Sequence, residues 1–243
     1  MTEDAIVREY REQGFVRIPE FYSADQLAQI RAAVERYNRD VVPGVPENDV
    51  VFEADGQAIR NCWRMQAHDP FFDALPNEER LQTLIAALVN GTPDCMGVET
   101  FNKPAKVGSG VPPHQDNAYF CQEPPDVLTV WVALDEVTPE NGAVQYVAGS
   151  HRDGLKVHTP SGVKGNSFGL AEEIDEKTAT PALLKAGDVL IHHCQTIHFS
   201  APNVSDRPRL GLLMVFRGTH TQDSPAMKAA YQQARALMEA QTG

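Results

Sequence analysis

The stretch Pro112-Pro-His114-Gln-Asp116 places an imidazole and a carboxylate two residues apart. In extended chain, residues i and i+2 point to the same face, so both side chains can converge on one ion. A third ligand is available in Val189-Leu-Ile-His-His-Cys-Gln-Thr-Ile-His198, which reads as a strand running into a turn with His198 at its end. Two histidines and one carboxylate on one face of a metal leave three positions open. That arrangement suits non-haem iron(II), with room for O2 and a bidentate co-substrate. A His-x-Asp pair alone is weak, since any surface loop can hold one. His192, His193, His68, His151, His158 and His220 read as satisfied sheet or surface residues.

What distinguishes His198 is its sequel, His198-Phe-Ser200-Ala-Pro-Asn203-Val-Ser-Asp-Arg-Pro-Arg209. Arg209 stands eleven residues past His198, at the mouth of the apolar run Leu210-Gly-Leu-Leu-Met-Val-Phe216. A guanidinium can grip a carboxylate with two parallel hydrogen bonds, which a lysine cannot reproduce. Ser200 offers a hydroxyl to the same group. An oxoacid that chelates a metal through its 1-carboxylate and 2-oxo group needs its far carboxylate neutralised some distance away, and Arg209 with Ser200 fits that task. The bland alternative, a surface arginine paired with Asp206, suits Arg207 better, because Arg209 leads into a buried run.

The elements that must hold these groups fall into two patterns. The N-terminal quarter is helical: Thr2 caps a short helix that stops at Gly14, where a left-handed C-terminal residue is wanted. Phe15–Pro19 reads as a brief strand. Ser23-Ala-Asp-Gln26 has capping-box spacing, followed by Leu27, Ile30, Val34 and Tyr37 on one helical face. Val42 to Pro46 reads as a loop. Asn77 is expected to cap a helix with an apolar stripe of Leu81, Leu84, Ile85 and Leu88, ending at Gly91. Ser224-Pro225 opens a last helix carrying Tyr231, Ala234 and Met238. Between these flanks, short β-branched and aromatic runs recur: Met96–Lys103, Val127–Leu134, Ala143–Val147, Ala182–Leu184, Val189–His193 and Leu210–Arg217. The fold class expected is mainly β, an antiparallel jelly roll buttressed by helices at both ends of the chain. No repeat or long linker divides it, so residues 1–243 are expected to form one domain.

Bulk composition narrows the function classes. The 243 residues are 42% hydrophobic and 22% charged, with 21 basic against 33 acidic residues and a net charge of −12. That field repels a phosphate backbone, so nucleic acid is not expected as a partner. No run approaches the 18 or so apolar residues of a membrane span, and Met1-Thr-Glu-Asp lacks the basic and apolar character of a secretory signal. A cytoplasmic protein without membrane association is expected. Cys62, Cys95, Cys121 and Cys194 lie far apart, so they read as free, mostly buried thiols. Nothing here specifies an oligomeric state.

The order and spacing of several motifs resemble the phytanoyl-CoA dioxygenase family of iron(II)/2-oxoglutarate oxygenases. The matching stretches are His114-Gln-Asp116, Thr129-Val-Trp-Val-Ala-Leu134, Pro139-Glu-Asn-Gly142, Gly149-Ser-His151, Gly187-Asp188 and the His198 to Arg209 segment, within a likeness running from about Glu9 to His220. The resemblance implies a double-stranded β-helix (a cupin-like jelly roll) with His114, Asp116 and His198 on Fe(II) at its open end. It also implies 2-oxoglutarate on the iron, held by Arg209 and Ser200, with Trp131 near the co-substrate. Phe101-Asn-Lys-Pro104 matches a segment lining the site. Asn102 and Lys103 point to opposite faces, so only one can face it, and Lys103 is the candidate. The activity implied is oxidation of an unactivated C–H bond in a small molecule, releasing succinate and CO2. A halogenating variant of the family has Ala or Gly in place of the carboxylate; Asp116 argues for hydroxylation, desaturation or cyclisation instead.

Residues that meet the substrate are less directly marked. Asn117, Tyr119 and Phe120 follow the His-x-Asp pair, and Asn61-Cys-Trp-Arg64-Met-Gln66 reads as a strand or lid segment. A lid is expected within Thr159 to Thr178. On an unbroken strand Gly211, Leu213, Val215 and Arg217 face the same way as Arg209, so Arg217 would hold an anionic group of the substrate at the far end. A bulge or the strand end would instead turn it outward to an acidic partner. Two other function classes fit a metal-binding jelly roll: a non-oxidative isomerase or hydrolase, and a silent small-molecule-binding domain. Succinate release coupled to oxygen uptake separates them from the oxygenase.

Overall fold

The structure, a computed structural model, describes residues 1–163 and 166–242. Helix Glu3–Gln13 begins where the Thr2 hydroxyl accepts from the Ala5 amide and ends at Gly14, whose φ of 82° is the left-handed value only glycine adopts without strain. Gly14 then does a second job. Its carbonyl accepts from the His193 amide and the Thr196 hydroxyl, and a Cβ there would strike both Thr196 and His151. Helix Ala24–Arg36 carries the expected reciprocal capping box between Ser23 and Gln26. Helix Glu79–Leu88 buries Leu81, Leu84, Ile85 and Leu88 as its spacing predicts. Its N-cap is Glu78 and not Asn77. Asn77 closes a preceding 3-10 turn and spends its amide on the Asp73 carbonyl, a local bond that competes with capping.

Seven strands form the larger sheet, in the order Phe15–Ile18, Val189–His193, Val127–Ala133, Arg209–Gly218, Pro93–Lys103, Ile59–Cys62 and Val50–Phe52. The smaller sheet runs Thr180–Pro181, Val144–Tyr146, His198–Ser200, Val111–His114. Every pairing is antiparallel. Val127–Ala133 is buried along its whole length because both of its faces are covered. Leu128, Val130 and Val132 pack with Ile6, Val34 and Ile85 from the helices on one side. Trp131 and Ala133 pack with Tyr146, Ala143 and Leu184 on the other. This is the mainly β jelly roll with flanking helices that the sequence predicts, and the period-2 alternation of its strands separates the helix-facing core from the interior that holds the polar site.

The chain between Ala182 and Leu184 forms only a single bridge, Val137 to Leu184, and its strand lies earlier, at Thr180–Pro181. The segment 189–198 is two strands in different sheets, Val189–His193 and His198–Ser200, with a turn between them. The segment expected as a lid, of which residues 164 and 165 lie outside the described residues, contains a hairpin, His158–Val163 with Asn166–Leu170, whose Phe168 is buried against Tyr119 and Tyr231. Tyr119 exchanges both backbone hydrogen bonds of Phe168 through its hydroxyl. Glu172, Glu173, Asp175 and Glu176 are exposed. The last helix, Pro225–Thr242, opens where Ser224 and Pro225 predict; the side chain of Met238 lies outside the described residues. All four cysteines are free. Among the described residues, no helix is long and apolar enough to cross a membrane.

Candidate metal centre and the pocket beside it

His198 pairs directly with His114 across the smaller sheet, on strands 84 residues apart in sequence, since 198 minus 114 is 84. Gln115 ties down two loops. Its amide donates to the Gly154 and Gln195 carbonyls, and its oxygen accepts from the Lys156 amide. The strand ends at His114, and Asp116 stands in the helical turn that follows, at φ −60° and ψ −32°, where its carboxylate still meets His114 and His198. Nε2 of His114 and of His198 lie 3.6 and 3.5 Å from Asp116 Oδ1, and one ligand atom from each of the three residues lies within 4.8 Å of the others.

The donor set fits a divalent metal atom by atom. Nδ1 of His114 is 2.9 Å from the Pro112 carbonyl, and Nδ1 of His198 is 2.9 Å from the Thr196 carbonyl. A carbonyl can only accept, so each Nδ1 carries the proton and each Nε2 presents a lone pair toward Asp116. Burial, then the neighbouring His114, pushes His198 down to about 3, so it is a neutral imidazole, the form that ligates. Asp116 Oδ2 accepts from Thr129 Oγ1 at 3.1 Å and from His192 Nε2 at 3.0 Å, which leaves Oδ1 for the centre. Burial opposes ionisation of Asp116, but the three imidazoles around it, His198 foremost, hold the carboxyl well below its usual range.

His192 reads from sequence as an ordinary sheet residue, yet it orients the carboxylate. Its Nδ1 accepts from the Tyr146 hydroxyl at 3.0 Å, so Nε2 carries the proton that goes to Asp116. Its partner depends on strand register, which His192-His193 as a dipeptide does not disclose. His193 takes the other face and packs against Tyr10 and His151. His192 therefore does more than satisfy the sheet: it holds a metal-ligand carboxylate in place. Losing an outer hydrogen bond to a metal ligand typically lowers affinity by about 10–100-fold. Equilibrium dialysis should find a drop of that size for His192→Ala and none for His193→Ala.

Beside the triad opens a cavity of about 590 Å3. Arg209 lines it and is 3% exposed, with one hydrogen bond, from Nη1 to the Gly142 carbonyl at 3.0 Å. Its Nε is buried without a partner, and no ion pair between described residues involves it. Its guanidinium carbon sits 5.1 Å from the Trp131 ring and 5.9 Å from that of Phe101. Burial lowers it to about 10, which still leaves it charged at neutral pH. A buried cation with unspent donors facing a cavity is a built receptor for a carboxylate. Ser200 and Trp131 line the same cavity.

Gly211 marks how closely this wall is fitted. It is paired with Phe101 on one side and Ala133 on the other, and a Cβ there would overlap the Trp131 indole. Gly211→Ala must displace the tryptophan from beside Arg209. A fall in 2-oxoglutarate affinity of about 10-fold or more, with the metal still bound, is the expected calorimetric result.

Lys103 does not reach this cavity. It is the register partner of Arg209, but its Nζ donates to the Ser109 and Ala201 carbonyls, and its side chain is fully buried. Burial, then the charge of Arg209, lowers it to about 6. Two cations cannot share one site cheaply, and Lys103 turns to loop carbonyls instead. Asn117 is also scaffolding: its amide closes a loop on the backbone of Gln122. Tyr119, Phe120 and Arg64 do line the cavity, Arg64 at φ 53° and tied to Asp49 at 2.7 Å. Arg217 does not. A bulge between Gly97 and Cys95 brings Asp94 opposite it, and Arg217 Nε pairs with Asp94 at 2.8 Å while Nη1 donates to Gln122. Arg217→Ala should leave the KM for both substrates within about two-fold, as steady-state kinetics would show, since exposed ion pairs carry little free energy.

Residues 10–211 match the family model of phytanoyl-CoA dioxygenase (PhyH). The chain belongs to that family. It is 31% identical over 151 residues to phytanoyl-CoA dioxygenase domain-containing protein 1 of Danio rerio, a match covering 60% of this chain and 52% of the relative. It thus spans about half the length of that relative. A probable alpha-ketoglutarate-dependent hypophosphite dioxygenase of Stutzerimonas stutzeri is 28% identical over 218 residues, 85% of this chain and 76% of its own. The crystal structure of EvdO2 from Micromonospora carbonacea var. aurantiaca complexed with 2-oxoglutarate superposes with a TM-score of 0.74 at 22% identity, covering 93% of this chain and 94% of that one. That likeness identifies the fold.

Proposed function

We propose that the chain is an iron(II)- and 2-oxoglutarate-dependent dioxygenase that oxidises a C–H bond of a small molecule and releases succinate and CO2. The observation that carries this reading is Arg209, a buried guanidinium with unspent donors, opening on the same cavity as a triad whose lone pairs converge. The oxygenase reading requires both features, a metal triad and a buried anion receptor at a chelating oxoacid's length from it, whereas a non-oxidative metal enzyme requires only the first. Membership in the family and the 2-oxoglutarate-bound structural neighbour support the same assignment.

His114, Asp116 and His198 would hold iron, and Arg209 with Ser200 would hold the far carboxylate of 2-oxoglutarate, with Trp131 packed alongside. When bound, iron and 2-oxoglutarate together supply oxygen activation and cleavage of an unactivated C–H bond. The protein's part is positioning. Pro112 and Thr196 fix the two imidazole tautomers, while Thr129 and His192 hold Oδ2 of Asp116 so that Oδ1 faces inward. Trp63, Phe101, Phe120 and Tyr231 give the cavity an apolar wall on which a substrate body can lie. The deciding assay supplies iron(II), 2-oxoglutarate, ascorbate and candidate substrates, and follows oxygen uptake, succinate and a product mass raised by about 16 Da. Substrate turnover without succinate would end the oxygenase reading.

A further inference from the structure

Two polar groups in the cavity wall are left unspent by the roles assigned so far. Glu99 lines the cavity, and its carboxyl makes no hydrogen bond or ion pair with any described residue. Asn61, 2% exposed, lines it too, and its Oδ1 is buried without a partner. The two share one inner surface: Asn61 lies directly across from Phe101, and Glu99 stands two residues before Phe101 on the same strand face. Asn61 Oδ1 is an acceptor, and Glu99 becomes one with both oxygens once it ionises, so a charged donor satisfies both.

Charge points the same way. Apart from its histidines and tyrosines, the ionisable groups of this wall are Glu99, Asp116, Arg64 and Arg209. Arg64 is already paired with Asp49. On the reading above, Asp116 and the chelating carboxylate of 2-oxoglutarate offset a divalent metal, and Arg209 offsets the far carboxylate. Glu99 then remains as one acid with no counter-charge. The same cavity is lined by Trp63, Phe101, Tyr119, Phe120 and Tyr231, and the faces of such rings attract cations. Burial, then the charge of Asp116, pushes Glu99 up to about 8, so it stays protonated while the cavity holds no counter-charge. A cation in contact restores its ionised form.

We propose that Glu99 and Asn61 form the specificity subsite of the cavity and that the substrate is an organic ammonium compound. Its N–H donors go to the Glu99 carboxylate and Asn61 Oδ1, and its apolar body lies on the aromatic wall. This assignment rests on the oxygenase reading of the site. The nearest alternative, an anionic substrate held by Arg64, would have to break the Arg64–Asp49 pair and sit against Glu99.

The test uses the full chain loaded with manganese(II) and 2-oxoglutarate, titrated calorimetrically with phenylalkyl probes of matched length that end in ammonium, hydroxyl or carboxylate. The ammonium series should bind tightest. Glu99→Gln, close in shape but uncharged, should lose roughly 30-fold or more for that series, from the lower end upward of the cost of removing one partner of a buried charge pair. Glu99→Asp should recover part of the loss, and the 2-oxoglutarate Kd should be unchanged in both variants. Tighter binding of the carboxylate or hydroxyl series overturns the proposal. So does failure of every ammonium probe to bind, or equal ammonium affinity in wild type and Glu99→Gln. If 2-oxoglutarate itself does not bind the wild-type protein, the oxygenase reading fails instead, and the same titration reveals which has happened.

Discussion

Alanine at His114, Asp116 or His198 should abolish turnover and reduce metal affinity by well over the roughly 10–100-fold expected for outer-shell changes. Each substitution removes one of three protein ligands, and the structure offers no replacement at the same place. His192 is the nearest candidate, but its Nε2 proton already goes to Asp116 Oδ2 and its Nδ1 already accepts from the Tyr146 hydroxyl. Asp116→Ala should be the most damaging of the three. It deletes the only anion among the ligands and strands the His192 and Thr129 donors that held it. Iron retention after dialysis, measured beside thermal stability, checks this. Full metal occupancy and activity in any one variant would remove that residue from the centre.

Arg209→Ala should raise the Kd for 2-oxoglutarate by roughly one and a half to three and a half decades, the equivalent of about 2–5 kcal/mol for losing one partner of a buried, hydrogen-bonded charge pair. The effect is expected to be large because the guanidinium is desolvated in advance. Among the described residues its one hydrogen-bond partner is the Gly142 carbonyl, and its Nε has none. Arg209→Lys should recover only part of the affinity, since an ammonium cannot present two parallel donors to one carboxylate. Metal affinity should stay near wild type in both variants, which separates co-substrate binding from the triad. Calorimetry with manganese(II) bound measures each quantity without turnover. An unchanged Kd in Arg209→Ala would sink the assignment of this residue to the co-substrate.

Much of this site is legible from the amino-acid order because it rests on local rules. The two-residue spacing of His114 and Asp116 brings them together from neighbouring local elements, His114 at the end of its strand and Asp116 in the helical turn that follows. The caps at Thr2 and Ser23 and the glycine stop at Gly14 are likewise satisfied within one helical turn. The apolar stripe of Leu81, Leu84, Ile85 and Leu88 follows from the helical period alone. Arg209 stands out for a similar reason, as a cation at the head of a run too apolar to be a surface strand.

What tertiary structure alone decided is who stands opposite whom. Lys103 and Arg209 share a face and a register position, yet only one opens on the cavity, because loop carbonyls at Ser109 and Ala201 claim the lysine. Arg217 has the same parity as Arg209, and one extra residue in the neighbouring strand supplies Asp94 to neutralise it. His192 and His193 are chemically identical neighbours, but strand pairing sends one to Asp116 and the other to the N-terminal helix. The unspent acceptors at Glu99 and Asn61 become visible only when every nearby donor has been located. Periodicity along the chain determines the face a side chain takes. The partner it meets there depends on register between strands far apart in sequence, and that is settled by packing of the whole sheet.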